Sequence, residues 1–338
     1  MFLNKKRIEL HLPSSWNQMS QQQLETVAAF MVTEAKRTNI LHPFDMAAVK
    51  TKVFFALTHT KVVTPTNPRL PIEKQYFLCK RDFSSLPWYK RLIKKCQNNP
   101  PFQMYLEQIA YWQKRFMGWM DGKPQLTVFP YPIIKRGWKR TLFQGPSALM
   151  QDFTWQRFRF AQEYLQYYIQ QENLLNIMRR KVYKYSTQEV KKQTKHTDLA
   201  KAMFLATIFS RKVNFVENER ESVKIRRDFR YTSNQSSDNA QSFRNFNECA
   251  FQVILIWWSS IMHYLHTHFP HCYGEQKTKN NKPTNPLEVY TRTTAVLEKY
   301  THIKEEDINN QLYMVVLQHL ENMAVETEEL EKSKRNTK

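Results

Sequence analysis

Glycine is scarce in this chain, with only 5 among its 338 residues. No two glycines stand in G-x-G spacing, which excludes the glycine-rich loops that hold phosphates and dinucleotides. The alternation of strand and helix that such folds need is also missing. The 22 Phe, 16 Tyr and 8 Trp instead predict a helical protein with bulky packing.

Cysteines and long apolar runs are also few. The 4 cysteines show no paired spacing and the chain starts without a hydrophobic signal core, so we expect a reducing cytoplasm. The one transmembrane candidate, 251–269, contains two serines and three histidines. Its uninterrupted apolar part, 253–258, is far below the roughly 20 residues that a span needs. We therefore expect a buried helix here and no membrane partner.

Catalytic signatures are missing as well. The chain has no G-x-S-x-G elbow, no S-x-x-K, no kinase signature and no helical pair of E-x-x-H motifs. We therefore predict no catalytic residue and no cofactor. An enzyme whose catalytic groups are scattered along the sequence stays open as an alternative.

One cluster has the residue types of metal ligands. His263 and His266 are one helical turn apart, and Cys272 follows beyond Pro270. No second ligand pair stands elsewhere at matching spacing, and H-E-x-x-H is absent. We therefore predict histidines that end an aromatic helix and no bound metal, while a metal-dependent enzyme around His263 stays the third alternative.

Positive charge is in large excess, with 51 Lys and Arg against 30 Asp and Glu. The segment 287–338 holds 7 basic and 10 acidic residues, a net charge of −3, so 1–286 carries +24 of the total of +21. Such an excess attracts phosphate backbones or acidic protein surfaces.

Two segments concentrate this charge. Residues 69–147 hold 15 Lys and Arg against 4 Asp and Glu. Cations beside exposed aromatic rings are typical of single-strand binding, although aromatic residues at helical spacing more often belong to a core. The interleaved aromatic residues are Trp88, Tyr89, Trp112, Phe116, Trp119 and Trp138; the candidate nucleic-acid-binding residues of the second segment, 179–195, are Arg179, Arg180, Lys181 and Lys184.

The stretch 152–185 has the most regular pattern in the chain. Polar residues at alternating steps of three and four mark one narrow solvated line, and apolar residues fill both flanks. This predicts a central helix covered on two sides, with Asp152 as its N-cap and with Ile169 and Leu174 on its apolar flanks. The polar cluster 170–173 leaves open whether this is one helix or two antiparallel helices.

The rest of the chain predicts a mainly α, multi-helical protein with a few short edge strands or a small β-hairpin before the central helix. Ser20 and Gln23 form a capping box, which predicts a helix from Gln21 to about Arg37. The division along the chain is an N-terminal helical segment (1–60), a Pro-rich, basic, irregular segment (61–147), a central helical core (148–286) with a flexible loop (217–242), and an acidic helical hairpin (287–338). Local patterns predict an edge strand over 75–79, helices over 101–117, 198–216, 247–269 and 304–332, and hairpin arms over 126–134 and 138–143.

The opening sequence Leu12-Pro13-Ser14-Ser15-Trp16-Asn17-Gln18-Met19-Ser20, followed by Gln23-Leu24, resembles the start of uncharacterised proteins encoded in phages and prophages of gut bacteria. The similarity extends to Gly145-Pro146, to 153–168 and 174–183, and to the closing helical hairpin. Such proteins belong to tail-region or morphogenesis gene neighbourhoods, so the resemblance implies a structural or assembly role.

These observations favour a non-enzymatic phage or prophage structural or assembly protein, tail-associated, that acts through contacts with other particle proteins or acidic surfaces. We expect it in the cytoplasm of the bacterial host or incorporated in a virion. The alternative is a basic nucleic-acid-binding accessory protein of a mobile element. That alternative requires the cations of 69–147 and 179–195 to gather on an exposed face, whereas we expect them to be spread over several helices and loops.

Overall fold

The computed structural model describes residues 12–37, 44–64, 71, 74–82, 101–136, 141–180, 183–211, 231, 233–273 and 286–336. These residues form 11 α-helices and two three-stranded sheets, which confirms the mainly α fold class. Among them no helix is long and apolar enough to cross a membrane. Unit 1 combines Met1–Leu126 with Glu248–Ser260, and unit 2 combines Thr127–Asn247 with Ile261–Lys338. Each unit contains parts of several of the four segments predicted from the sequence. The division into those four segments stays a prediction.

Unit 1 begins with the predicted helix. Ser20 donates its backbone N–H to Gln23 Oε1 at 2.9 Å, and Gln23 donates its own to Ser20 Oγ at 3.3 Å, so the capping box is confirmed. The elements of unit 1 are α1 (Gln21–Arg37), α2 (Met46–Leu57), β1 (Thr60–Thr64), β2 (Tyr76–Arg81), β3 (Phe102–Tyr105), α3 (Leu106–Phe116) and the first part of α7 (Glu248–His268).

Sheet A consists of β1, β2 and β3 in that order, all antiparallel. The predicted edge strand over 75–79 is therefore the middle strand, β2. The predicted helix over 101–117 begins late, because Phe102 and Met104 pair with β2 as part of β3 and the helical turns start at Leu106. Periodicity missed this strand because four residues are too few to show a period of two.

Unit 2 contains a small sheet and the remaining helices. Sheet B has the strands β4 (Ile133–Arg136), β5 (Thr141–Gln144) and β6 (Ser210–Arg211). The first two form the predicted hairpin, but its first arm begins at Ile133 and not at Leu126, because 126–132 form no strand. The helices are α4 (Trp155–Arg180), α5 (Thr187–Ile208), α6 (Ser233–Ala240), the last part of α7, α8 (Pro270–Tyr273), α9 (Pro286–Thr301), α10 (Glu305–Asn310) and α11 (Tyr313–Asn336).

Gly145, in the Gly-Pro pair before α4, stands where a side chain would not fit. A Cβ at this position would overlap the ring of Phe129 and lie 2.6 Å from the backbone oxygen of Tyr131. The residue also donates its backbone N–H to Pro132 O at 2.9 Å. Its role is therefore close packing beside sheet B.

The central stretch forms one uninterrupted helix, α4. Its predicted cap is wrong, because the Asp152 carboxylate accepts hydrogen bonds from the N–H and the hydroxyl of Ser147, while Thr154 Oγ1 accepts the Arg157 N–H. Only one side of the second half is covered. Ile169 and Leu174, predicted on apolar flanks, are 48% and 42% exposed.

Three further boundaries differ from expectation. The helix predicted over 198–216 begins at Thr187, because Ser186 and Glu189 form a capping box. Part of the predicted flexible loop 217–242 is helical: α6 spans Ser233–Ala240 and buries Ser236, whereas 212–230 and 232 lie outside the described residues. The last helix is divided into α10 and α11 by an extended residue, Gln311.

A buried cation joins α4 to α5. The guanidinium of Arg157 donates from Nε to Thr207 O and from Nη2 to Ile208 O, both at 2.8 Å, and lies 4.2 Å from the Phe153 ring centroid. These carbonyls end α5 and have no partner within the helix, and the negative end of the helix dipole favours a cation there. Burial lowers the pKa of Arg157 to about 10, against the opposing charge of Asp152, so the group stays charged at neutral pH.

We expect Arg157→Met to lower the free energy of unfolding by about 3 kcal/mol, because two buried carbonyls lose their donors at about 1–3 kcal/mol each. Urea unfolding followed by far-ultraviolet circular dichroism measures the change. Arg180→Met, at the exposed end of the same helix, is the control and should stay within about 0.5 kcal/mol of the wild type. Equal stability of the two variants would contradict the assigned role of Arg157.

Candidate functional site

The helices α4 and α5 form an antiparallel hairpin with one register along its length. At its base Arg157 contacts Thr207 and Ile208, and further out Gln193 Nε2 donates to Gln171 Oε1 at 2.8 Å. The pairs Arg157–Thr207 and Gln171–Gln193 have the same sum of residue numbers, so the helices stay paired without a slip. The free end of the hairpin therefore lies at the connection between Arg180 and Thr187.

The base of this hairpin is fixed by buried hydroxyl groups. Ser236 Oγ is 2.8 Å from Thr207 Oγ1 and 2.7 Å from the Tyr231 hydroxyl, which ties α6 to α5. Burial raises the pKa of Tyr231, so this hydroxyl stays protonated at neutral pH. A rigid base of this kind holds the far end of the hairpin in a defined position.

The capping box at Ser186 fixes where α5 begins. Glu189 Oε2 accepts hydrogen bonds from the Ser186 N–H at 2.7 Å and from its hydroxyl at 2.8 Å, which lowers the pKa of this carboxyl. The helix that starts here buries Gln193 and Thr197 against α4. Its opposite face is exposed and carries Lys191, Lys192 and Lys195.

We call residues 179–195 the hairpin tip. The tip holds 7 Lys and Arg, while its one acidic residue, Glu189, is engaged in the helix cap. Within the part of the chain that the structure describes, no carboxylate forms an ion pair with any of the six described cations of the tip. Those six are all exposed: Arg179, Arg180, Lys184, Lys191, Lys192 and Lys195.

Of the four residues predicted to bind nucleic acid, Arg179, Arg180 and Lys184 lie together on the tip, and Lys181 lies outside the described residues. The three lysines of α5 were missed as partners of this group. The Ser-x-x-Glu spacing of the capping box was a signal that could have found them, since it places them on the first turns of a helix that returns along α4.

Apolar side chains accompany the charge along the hairpin. Tyr183, at the tip, is 89% exposed, and Ile177 of the preceding turn is 47% exposed. Soluble proteins rarely leave contiguous apolar groups in water without a partner. The exposed apolar residues of the hairpin are Tyr167, Ile169, Leu174, Ile177, Tyr183 and Leu199.

Of the six aromatic residues singled out in 69–147, two serve packing. Trp112 stacks on Phe54 with a centroid distance of 5.9 Å, and Trp119 packs edge-on against Trp16 at 4.9 Å. Phe116 is 41% exposed beside a guanidinium. Trp88, Tyr89 and Trp138 lie outside the described residues.

The structure assigns separate partners to the metal-ligand candidates. The His266 ring lies 5.1 Å from that of Tyr273, and Cys272 Sγ is 3.7 Å from Leu317 O. Burial, followed by the hydrogen bond and charge of Glu321, raises the pKa of Cys272 to about 12, so this thiol is protonated at neutral pH. No group of three or more His, Cys, Asp or Glu residues that could hold a metal occurs within the described ranges, and His263 is half-buried on α7.

The neighbouring residue His271 makes an ion pair instead. His271 Nδ1 donates to Glu321 Oε1 at 2.5 Å, and Nε2 donates to Glu328 Oε2 at 3.3 Å. The Glu321 carboxylate also accepts the backbone N–H groups of His271 and Cys272. This carboxylate therefore caps the first turn of α8 and attaches it to α11.

A cleft of about 570 Å³ lies in unit 1. His59 on its wall has a φ of 50°, but this residue follows the C-cap of α2 and donates its N–H to Ala56 O at 3.1 Å, so helix termination explains the strained backbone. We assign no reaction to the cleft. Its lining is Ser20, Gln22, Gln23, Thr26, Phe55, Ala56, Leu57, His59, Thr60 and Asp82.

A scan against protein-family models finds no match, and comparisons with curated proteins and with solved structures find none either.

The contacts of His271 predict a stability that depends on pH. The hydrogen bond to Glu321 raises the pKa of His271 above 6.5, so its contribution is complete below pH 6.5 and is lost as the pH rises through the raised value. Burial raises the pKa of Glu321, but hydrogen bonds from His271 and Cys272 outweigh it and lower the pKa below 4.5; this contribution is lost as the pH falls through the lowered value.

We therefore expect His271→Gln to destabilise the protein most between pH 4.5 and 6.5 and progressively less at higher pH. Urea unfolding of both proteins at about pH 5.5 and about pH 8.5 measures the difference. His319→Gln, on the same helix α11 but without a hydrogen bond or ion pair among the described residues, is the control. A destabilisation by His271→Gln that is constant across this range would contradict the assignment.

Proposed function

We propose that this chain is a non-enzymatic nucleic-acid-binding protein whose hairpin tip lies against the phosphate backbone. The observation that carries the proposal is the convergence of six exposed cations from the end of α4, the turn and the start of α5. No carboxylate among the described residues forms an ion pair with these side chains, so they are available to phosphates.

The dimensions of the tip suit a short run of phosphates. From Ser186 to Lys195 the helix rises about 14 Å, and phosphates of one DNA strand are about 3.4 Å apart along the axis. Lysine and arginine side chains spread over this length can reach several phosphates together. Contacts of this kind set position and affinity and carry no sequence information.

We expect the variant with Lys191, Lys192 and Lys195 changed to Gln to bind a labelled oligonucleotide at least about 10-fold more weakly at about 0.15 M salt. The slope of log affinity against log salt should become shallower by about 0.9 for each lost contact with duplex DNA. Fluorescence anisotropy titrations at several salt concentrations measure both quantities.

The matched control changes three exposed lysines, Lys299, Lys304 and Lys334, to Gln and alters the net charge equally. If the tip is the binding surface, the control keeps the wild-type affinity and slope. Equal losses in both variants would mean that only the total charge matters, and a wild-type protein without measurable binding at this salt would refute the proposal.

A second function is favoured by the exposed apolar residues of the hairpin. We propose, as the alternative, a cytoplasmic structural or assembly protein of a phage or prophage particle, tail-associated, that acts through protein contacts. The resemblance of 12–20 and 145–146 to phage proteins supports it, and so do Ile169, Leu174 and Ile177, which lie in water on one helix. Such a partner would bury the apolar side of α4.

The alternative predicts that different substitutions abolish binding. Co-expression with the proteins encoded beside it, followed by sedimentation, should give a complex that Ile169→Ser, Leu174→Ser and Ile177→Ser abolish together while the lysine changes do not. Because apolar contacts resist screening, this complex should persist at about 0.5 M salt, where the screening length is below about 8 Å. If the complex dissociates in salt and does not form with the lysine variant, its contacts are electrostatic and the alternative is contradicted.

A further inference from the structure

The outer face of sheet A combines exposed rings with exposed cations. We define this face by Lys61, Tyr76, Lys80, Gln103 and Tyr105, which alternate with inward residues such as Cys79 and Met104. Lys61 stands directly opposite Lys80 on neighbouring strands, and Tyr76 stands directly opposite Tyr105.

The lysine pair is unfavourable for the isolated sheet. Directly opposite residues have Cβ atoms about 5 Å apart, and like charges at this position destabilise the pairing. Within the described ranges neither lysine forms an ion pair that would compensate. Two cations kept together at a cost in stability are suited to an anionic ligand.

The tyrosine pair adds a second kind of contact. The rings lie 6.0 Å apart at 60°, and the two residues are 36% and 40% exposed, so each keeps an accessible ring surface. A ring of this kind stacks on any nucleobase. Cross-strand tyrosines also stabilise sheets by themselves, so the tyrosine pair alone does not indicate a ligand. The two lysines on the same face are what indicate one.

Strand geometry places both groups within reach of one short segment. Tyr76 and Lys80 are four residues apart on the same side of β2, or about 13 Å at the rise of an extended strand. Duplex DNA keeps its bases stacked inside, whereas a single strand presents bases and phosphates together.

We propose that the outer face of sheet A binds single-stranded nucleic acid, with bases stacked on Tyr76 and Tyr105 and phosphates at Lys61 and Lys80. This inference rests on the proposed function, which it extends by naming the single-stranded form and a site in unit 1. The tip has cations in a helical arrangement, while this face has rings and cations on a sheet.

The experiment compares the full-length chain with two double variants in anisotropy titrations of oligodeoxythymidylate, oligouridylate and a DNA duplex at about 0.15 M salt. One variant carries Tyr76→Leu and Tyr105→Leu, and the other carries Lys61→Gln and Lys80→Gln. We expect both to lose about 10-fold or more of the affinity for the single strands and less than about 2-fold for the duplex. The control, Tyr111→Leu with Tyr300→Leu, removes two comparably exposed tyrosines and should leave both affinities unchanged.

The lysine variant separates a loss of binding from a loss of folding. Removal of the like-charge pair should leave the thermal unfolding midpoint equal or higher, so its loss of single-strand binding has no structural cause. In a second measurement, ultraviolet crosslinking of a bromouridine oligonucleotide followed by peptide mapping should place the crosslink within 76–81 or 102–105.

Wild-type affinity for single strands in both variants, or crosslinks confined to other segments, would overturn the inference. If the tip variant loses duplex binding while the sheet variants change nothing, the proposed function stands and this inference fails. If the chain binds single strands through the sheet but no duplex, the inference stands and the tip proposal fails.

Discussion

Unit 2 depends on one buried cation that is held by carbonyl groups. The guanidinium of Arg157 is surrounded by protein, and its hydrogen bonds to Thr207 and Ile208 supply donors to the end of a helix that would otherwise bury unsatisfied oxygens. The same contact sets the register of α4 against α5. A slip of either helix by one turn would leave both the cation and the carbonyls without partners, at a cost comparable to the stability of a small domain.

The two ends of α4 use the same residue type in opposite ways. At the base, Arg157 is desolvated and contacts two backbone oxygens and the ring of Phe153. At the tip, Arg179 and Arg180 lie in water with no carboxylate partner among the described residues. The first arrangement fixes the base of the hairpin, and the second leaves the charge exposed, so one helix connects a buried base to an exposed, positively charged tip.

Two acidic side chains of unit 2 accept hydrogen bonds from backbone groups at helix starts. Glu189 caps α5 and Glu321 caps α8, in each case by accepting N–H groups that the helix leaves without partners. Because Glu189 is engaged in the cap, it forms no ion pair with the six described cations of the tip, and its single negative charge stands against 7 positive ones. The positive excess of the sequence is therefore concentrated locally at the tip, where the six described cations are exposed.

The sequence by itself determined the mainly α class, the start of α1 at its Ser20 capping box, the hairpin of β4 and β5, and the helix of 247–269, because these follow from local periodicity and capping. The tertiary structure decided the rest. Periodicity assigned Ile169 and Leu174 to buried flanks, yet a helix pattern records only which residues share a side and not which side another element covers. The strand β3 is defined only by its pairing with β2. Lys191 lies on the same tip as Arg179 only because Gln193 packs on Gln171, a contact between two different helices.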